Sequence, residues 1–297
     1  MTGRTVSAGR SLGRRAAARL RLRRGLLAVG AIGLATGVWA GLVRMGWILP
    51  FGSARLATQH APLLVVGFFA SLIGLERAVA LGRSWTFVGP AAASLSVVAF
   101  LLGLPQILVR VSAALAMAGV ALTFGYLAWQ GRALYPVTMF AGALAWLWAT
   151  LAWAAGWPVV RVVPAWLAGF VLVIAGERLE LGRFTARRGF SRHLFRLAVT
   201  GILFGAASWP LWPTGAARIF GLGLLAIAGW LLRYDIARRG LRQHGMHRYS
   251  ALCLLAGYAW LAIGGALYLA WGPQAGGYRY DAQIHAISLG FVFAMVF

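Results

Sequence analysis

The sequence predicts an all-α, polytopic transmembrane helix bundle, and three observations predict it. Hydrophobic residues make up 61% of the 297 and charged residues only 11%. The apolar residues gather into about ten separate runs, each of bilayer-crossing length. Nearly all basic residues lie in the amino-terminal tail or between those runs. No soluble domain of this size needs so much apolar surface, and one integral membrane domain accounts for the runs.

Taken in order, the runs are 25–43, 60–82, 86–104, 108–129, 134–156, 158–181, 194–212, 215–235, 249–272 and one opening at 281, each bounded by charges, Pro or Gly. Ahead of them, residues 1–24 form an Arg-rich tail with eight arginines. A basic tail followed by an apolar run resembles a signal peptide. The run reaches Val43, however, too long for a signal core, so it reads as the first membrane helix, and 25–297 as one multi-helix transmembrane domain. The last run is still apolar at Phe297. From Asp281 it spans about 25 Å at the helical rise, so the expectation is a tenth helix cut short.

All 28 basic residues counted as Lys+Arg are arginine, a usage that points to a GC-rich bacterial genome. Their positions set the orientation. With the amino terminus inside, the tail and the connections after helices 2, 4, 6 and 8 hold 22 arginines, including Arg77, Arg132, Arg187, Arg188 and Arg242. The opposite connections hold 6: Arg44, Arg55, Arg110, Arg161, Arg218 and Arg279. That asymmetry predicts a cytoplasmic amino terminus in the inner membrane. The net charge of +23 therefore belongs to membrane orientation and to anionic lipid head groups met by the Arg-rich tail and loops, with no basic groove for nucleic acid.

Trp47, Trp157, Trp209, Trp212 and Trp271 fall near outer boundaries and Trp85 and Trp129 near inner ones, as in an interfacial belt. Gly33, Gly37 and Gly41 form a small-residue stripe on helix 1, and Gly201 with Gly205 repeats the spacing on helix 7. Both are devices for close helix contact. The single cysteine, Cys253, excludes an intrachain disulfide and a Cys-x-x-Cys pair.

Ionisable groups at membrane depth carry the functional question. His60 opens helix 2 and His285 opens helix 10, near the outer side at similar depth. Two such imidazoles suit the axial positions of a b-type haem or part of a copper site. Positions 60, 64, 67, 71, 74 and 78 share a face that reads His60, Leu64, Gly67, Ser71, Gly74, Ala78, small enough to turn His60 into the bundle. Asp281 lies four residues before His285, where its carboxylate reaches one ring nitrogen as a supporting partner of a metal ligand. The other interpretation stands beside this one: interfacial histidines, with Asp281 capping its helix.

Helix 2 ends in Glu76-Arg77 and helix 6 in Glu177-Arg178, with Gly82-Arg83 and Gly182-Arg183 following. Crossed ion pairs between two parallel helices are the expectation at this cytoplasmic end, and a proton entry point the alternative. The opening His285-Ala286 with Gly290-Phe291 echoes His60-Ala61 with Gly67-Phe68, consistent with a four-helix repeat. His193, His244 and His247 sit in Arg-rich loops and read as solvated. No phosphate-binding glycine loop, nucleophile elbow or zinc-protease signature appears, and the sequence makes no prediction of enzymatic activity.

The segment from His60 to Phe68, preceded by Gly41-Leu42, Gly46-Trp47 and Pro50, resembles the opening of the NnrS family. The segment from His285 to Phe291 is similar to a histidine-bearing helix start of that family. The resemblance implies a bacterial multi-helix membrane protein of the nitric-oxide or respiratory stress response, with haem b or copper as cofactor and His60 and His285 as ligands. A metal-free transporter or permease, with the Glu-Arg pairs coupling protons, and an assembly or scaffold protein are the alternatives.

Overall fold

The computed structural model describes residues 3–182 and 189–296. Among them there is no β-strand, as the apolar runs require, since a helix satisfies its own backbone in lipid. In chain order the helices are α1 (Gly3–Arg44), α2 (Ala54–Thr58), α3 (His60–Leu81), α4 (Ser84–Leu101), α5 (Gln106–Gly131), α6 (Leu134–Ala154) and α7 (Val159–Leu181). Then come α8 (Gly189–Ser208), α9 (Pro213–Tyr234), α10 (Ala237–Gly240), α11 (Met246–Trp271) and α12, which starts as Gly277–His285 and continues to Val296. Eight of these are long and apolar enough to cross a membrane: α1 from Arg19 onward, α3 to α7, α9 and α11.

Each expected run coincides with a helix, with α8 and α12 covering the two beyond those eight. Three departures have local causes. Helix α1 runs back through the tail to Gly3, because that stretch is rich in Ala, Leu and Arg, all strong helix formers. The short α2 was not foreseen; Ser53 caps it by accepting a hydrogen bond from the Leu56 N–H at 3.1 Å. Nor was α10, which depends on Asp235, described below. Arg183, Arg187 and Arg188, counted for the orientation, lie outside the described residues.

The chain forms two compact units, Met1–Thr123 and Phe124–Phe297. In the first, the glycine stripe of α1 is where α3 packs. A Cβ at Gly33 would lie 3.2 Å from the carbonyl carbon of Gly67, and one at Gly37 would lie 2.7 Å from Leu64 Cδ2. Gly67, Ser71, Gly74 and Ala78 are buried, so the face predicted to turn inward does so.

In the second unit α7 is the most enclosed helix, buried continuously over Val162–Gly176. Its sequence is apolar on every side, which only an all-round protein or lipid environment accommodates. Helix α6 is fixed to it by two indoles: Trp146 Nε1 donates to the Trp166 carbonyl at 2.9 Å, and Trp166 Nε1 donates to Thr150 Oγ1 at 3.0 Å. The Gly201 and Gly205 positions on α8 do meet α9, at Gly223 and Phe220. Trp209 departs from the interfacial belt: it is 6% exposed, packed edge-on against Phe220 and Tyr268. Trp47, Trp85, Trp129, Trp157 and Trp212 are exposed.

Candidate functional site

His60 is the first residue of α3, and its Nδ1 lies 2.8 Å from the carbonyl oxygen of Gly37 on α1. A carbonyl can only accept, so Nδ1 carries a proton. One turn further along α1, Gly41 receives the ring itself: a Cβ there would lie 2.7 Å from both Cε1 and Nδ1. Gly37 supplies the acceptor and Gly41 the room. The stripe read from sequence as a packing device is therefore also what orients this imidazole.

His285 closes the regular first part of α12, and its Nδ1 lies 2.9 Å from the main-chain carbonyl of Asp281, one turn back. The sequence put the Asp281 carboxylate in that supporting role; the structure gives the ring nitrogen the Asp281 backbone oxygen. The consequence for the ring is the same: Nδ1 carries a proton. The start of α12 is itself fixed: buried Gln283 donates through Nε2 to the carbonyls of Gly272 at 2.8 Å and Leu267 at 3.2 Å.

A second likeness between the two histidines was not legible in sequence. Each stands at the entrance of an eight-residue π-helical stretch, Leu63–Ala70 after His60 and Ala286–Phe293 directly after His285. Such stretches are rare and gather at functional sites, because the wider turn re-aims the residues beside it. Each contains a Gly-Phe pair, and each glycine accepts a neighbouring side chain. The contacts are Val97 Cγ2, 2.7 Å from a Cβ at Gly67, and Trp260 Cγ, 2.5 Å from one at Gly290. The echo noted between the two sequences is thus repeated in backbone geometry.

Arg178, near the end of α7, donates through Nε to Asp235 Oδ2 at 2.9 Å and through Nη2 to Asp235 Oδ1 at 2.8 Å. The Asp235 side chain has no exposure and that of Arg178 only 13%. Oδ1 also accepts the Ala237 N–H at 2.6 Å, which starts α10. The hydroxyl end of Tyr258, a buried residue of α11, borders the pair. Arg178, expected in a clasp with the Glu76-Arg77 end of α3, thus has two of its nitrogens on a carboxylate of its own unit. Glu76 is exposed, while Arg77, Glu177 and Glu180 are half-buried. Sequence reasoning passed over Asp235, although the chain has only five acidic residues, and that scarcity alone was reason to ask what each one holds.

His193, His244 and His247 are exposed, as expected, but only His244 lies in a connection; His193 belongs to α8 and His247 to α11. Among the described residues, no group of three or more His, Cys, Asp or Glu side chains is placed to hold a metal ion.

No curated protein and no solved structure matches the chain. One family model does, the Domain of unknown function (DUF8744), over residues 21–297. The match starts inside α1 and takes in both histidines, both π-helical stretches and the Arg178–Asp235 pair. The chain belongs to the DUF8744 family.

Proposed function

We propose that this is a haem-binding protein of the bacterial inner membrane, with its amino terminus in the cytoplasm and with His60 and His285 as ligands; copper is the alternative metal. The observation that carries the reading is the shared state of the two imidazoles. Each has Nδ1 within hydrogen-bond distance of a main-chain carbonyl, the kind of partner that orients the far nitrogen of a metal-bound histidine. Histidine imidazole is a usual ligand of haem iron, and each of the two histidines could supply one. Copper sites of the blue type add a thiolate to two imidazoles, which favours haem here. Haem so held supplies one-electron chemistry or a position for a small gas such as nitric oxide, the setting that the NnrS resemblance implies.

The test is purification of the intact protein in mild detergent from haem- and copper-replete cells, followed by an absorption spectrum and metal analysis. A Soret band lost in both His60→Ala and His285→Ala variants supports the reading. A folded protein without haem or copper, or a variant with an unaltered spectrum and metal content, overturns it.

One observation favours a second reading, a metal-free permease: the buried Arg178–Asp235 pair where three helices meet. It calls for proton-dependent uptake in vesicles that is lost in Asp235→Asn while the protein stays folded.

A further inference from the structure

From the side chains at the end of α9 we infer a binding site for one anionic phospholipid, in a cleft formed by α9, α10 and α11. This inference is independent of the histidines. The cleft has a volume of about 330 Å³ and is lined by Gly229, Leu232, Arg233, Arg238 and Leu255. Along α9, Gly229 and Leu232 precede Arg233 in the last turn, and Arg238 follows on α10, so the apolar lining leads toward the basic residues in chain order. A lipid has the same division, with phosphate at one end and hydrocarbon at the other.

The apolar part continues along α9. Leu222, Leu225, Ala226, Gly229, Leu232 and Arg233 recur at helical spacing, and none of them is buried by the protein. In a chain whose α9 crosses a membrane, that stripe faces acyl chains. Gly229 makes a notch in it, since a Cβ there would meet nothing within 4 Å. An acyl chain resting in the notch brings its own phosphate to the level of Arg233.

Charge selects which lipid. Asp235 lies between Arg233 and Arg238 in sequence, and a carboxylate facing them would neutralise the cleft. It is instead turned inward, with both oxygens on Arg178 and one also on the Ala237 N–H. Arg233 stacks over the Tyr234 ring, 5.4 Å from its centroid, which holds the guanidinium plane without consuming its charge. Two guanidiniums without that counter-charge favour a phosphate carrying a net negative charge over a zwitterionic head group.

The experiment is native mass spectrometry of the full chain in mild detergent, with phosphatidylglycerol or phosphatidylcholine added at equal concentration. The expected result is phosphatidylglycerol retained in preference to phosphatidylcholine. The double variant Arg233→Gln/Arg238→Gln should weaken that retention about thirty-fold, from two surface-level arginine contacts. The matched pair Arg239→Gln/Arg242→Gln removes the same charge from outside the cleft lining and should change it little. Gly229→Leu fills the notch in open space and should weaken lipid retention with all arginines intact. Equal retention of the two lipids, equal loss in the two double variants, unchanged binding in Gly229→Leu, or displacement by millimolar inorganic phosphate each overturns the proposal. Thermal unfolding of every variant separates lost lipid from lost fold.

Discussion

Arg178 and Asp235, 57 residues apart, meet through two parallel N–H···O contacts of 2.9 and 2.8 Å that fix the end of α7 against the end of α9. Taking such a pair out of water is costly, and it persists because each member satisfies the other. Removing one partner therefore harms more than removing both. Asp235→Asn should destabilise the protein in detergent by about 3–5 kcal/mol, since the Arg178 guanidinium is left without its counter-charge. The double replacement Arg178→Met/Asp235→Leu should be milder, though short of full recovery because the Ala237 N–H loses its acceptor. Denaturant titrations that rank the double variant below the single one would remove the pair from the account of this fold.

The α6–α7 contact is predicted to be intolerant of one methyl group. At Gly169 a Cβ would lie 2.2 Å from Trp146 Cδ1. That ring is 1% exposed and held through Nε1 by the Trp166 carbonyl, so it has nowhere to move. Gly169→Ala should cost about 1–3 kcal/mol by overpacking. Gly25→Ala, where nothing lies within 4 Å of the added carbon, should be neutral or gain up to about 1 kcal/mol of helix propensity. Thermal melts of the two variants side by side decide the matter.

The arginine asymmetry makes an orientation prediction independent of any cofactor. A reporter enzyme fused after Arg161 should behave as extracytoplasmic and one fused after Arg242 as cytoplasmic. The reverse pattern overturns the orientation while leaving every helix in place.

The helices were legible in the sequence because bilayer-length apolar runs admit one backbone solution. The inward face of α3 was legible because Gly67, Ser71, Gly74 and Ala78 follow the helical period. The histidines were legible as rare ionisable groups at the starts of apolar runs, His60 on that same face. What held their rings was not: the Gly37 carbonyl is main chain, and any residue there carries one. The π-helical stretches were also out of reach, since an i→i+5 pattern leaves no hydrophobic period distinct from that of an apolar α-helix. Asp235 was obscured by its sequence neighbours, Arg233 and Arg238, while its partner lies 57 residues away. Trp209 was assigned to the interface by its boundary position, yet it fills a space between Phe220 and Tyr268 that only the packing of α9 and α11 creates.

The last prediction concerns Gly41 and separates an oriented imidazole from an incidental one. The ring of His60 lies over Gly41 so closely that a Cβ there would be 2.7 Å from Cε1 and Nδ1. Gly41→Ala must therefore displace the ring from the Gly37 carbonyl, lengthening the 2.8 Å contact that orients it. If His60 is a cofactor ligand, the variant should still insert and fold, because α1 keeps its helix propensity. Its cofactor affinity should nonetheless fall by roughly ten- to a hundred-fold, as when the partner that orients a ligand is lost. The loss should match that of His60→Ala in kind and be smaller in degree. Gly33→Ala serves as the control on the same stripe. Its added carbon meets Gly67 and Val97 rather than the histidine, so it should lower stability and leave the spectrum of the retained cofactor unchanged. Spectra and melting curves of the three variants give the answer together. If Gly41→Ala keeps full cofactor content while melting lower, the glycine is a packing residue only and the ring needs no seat.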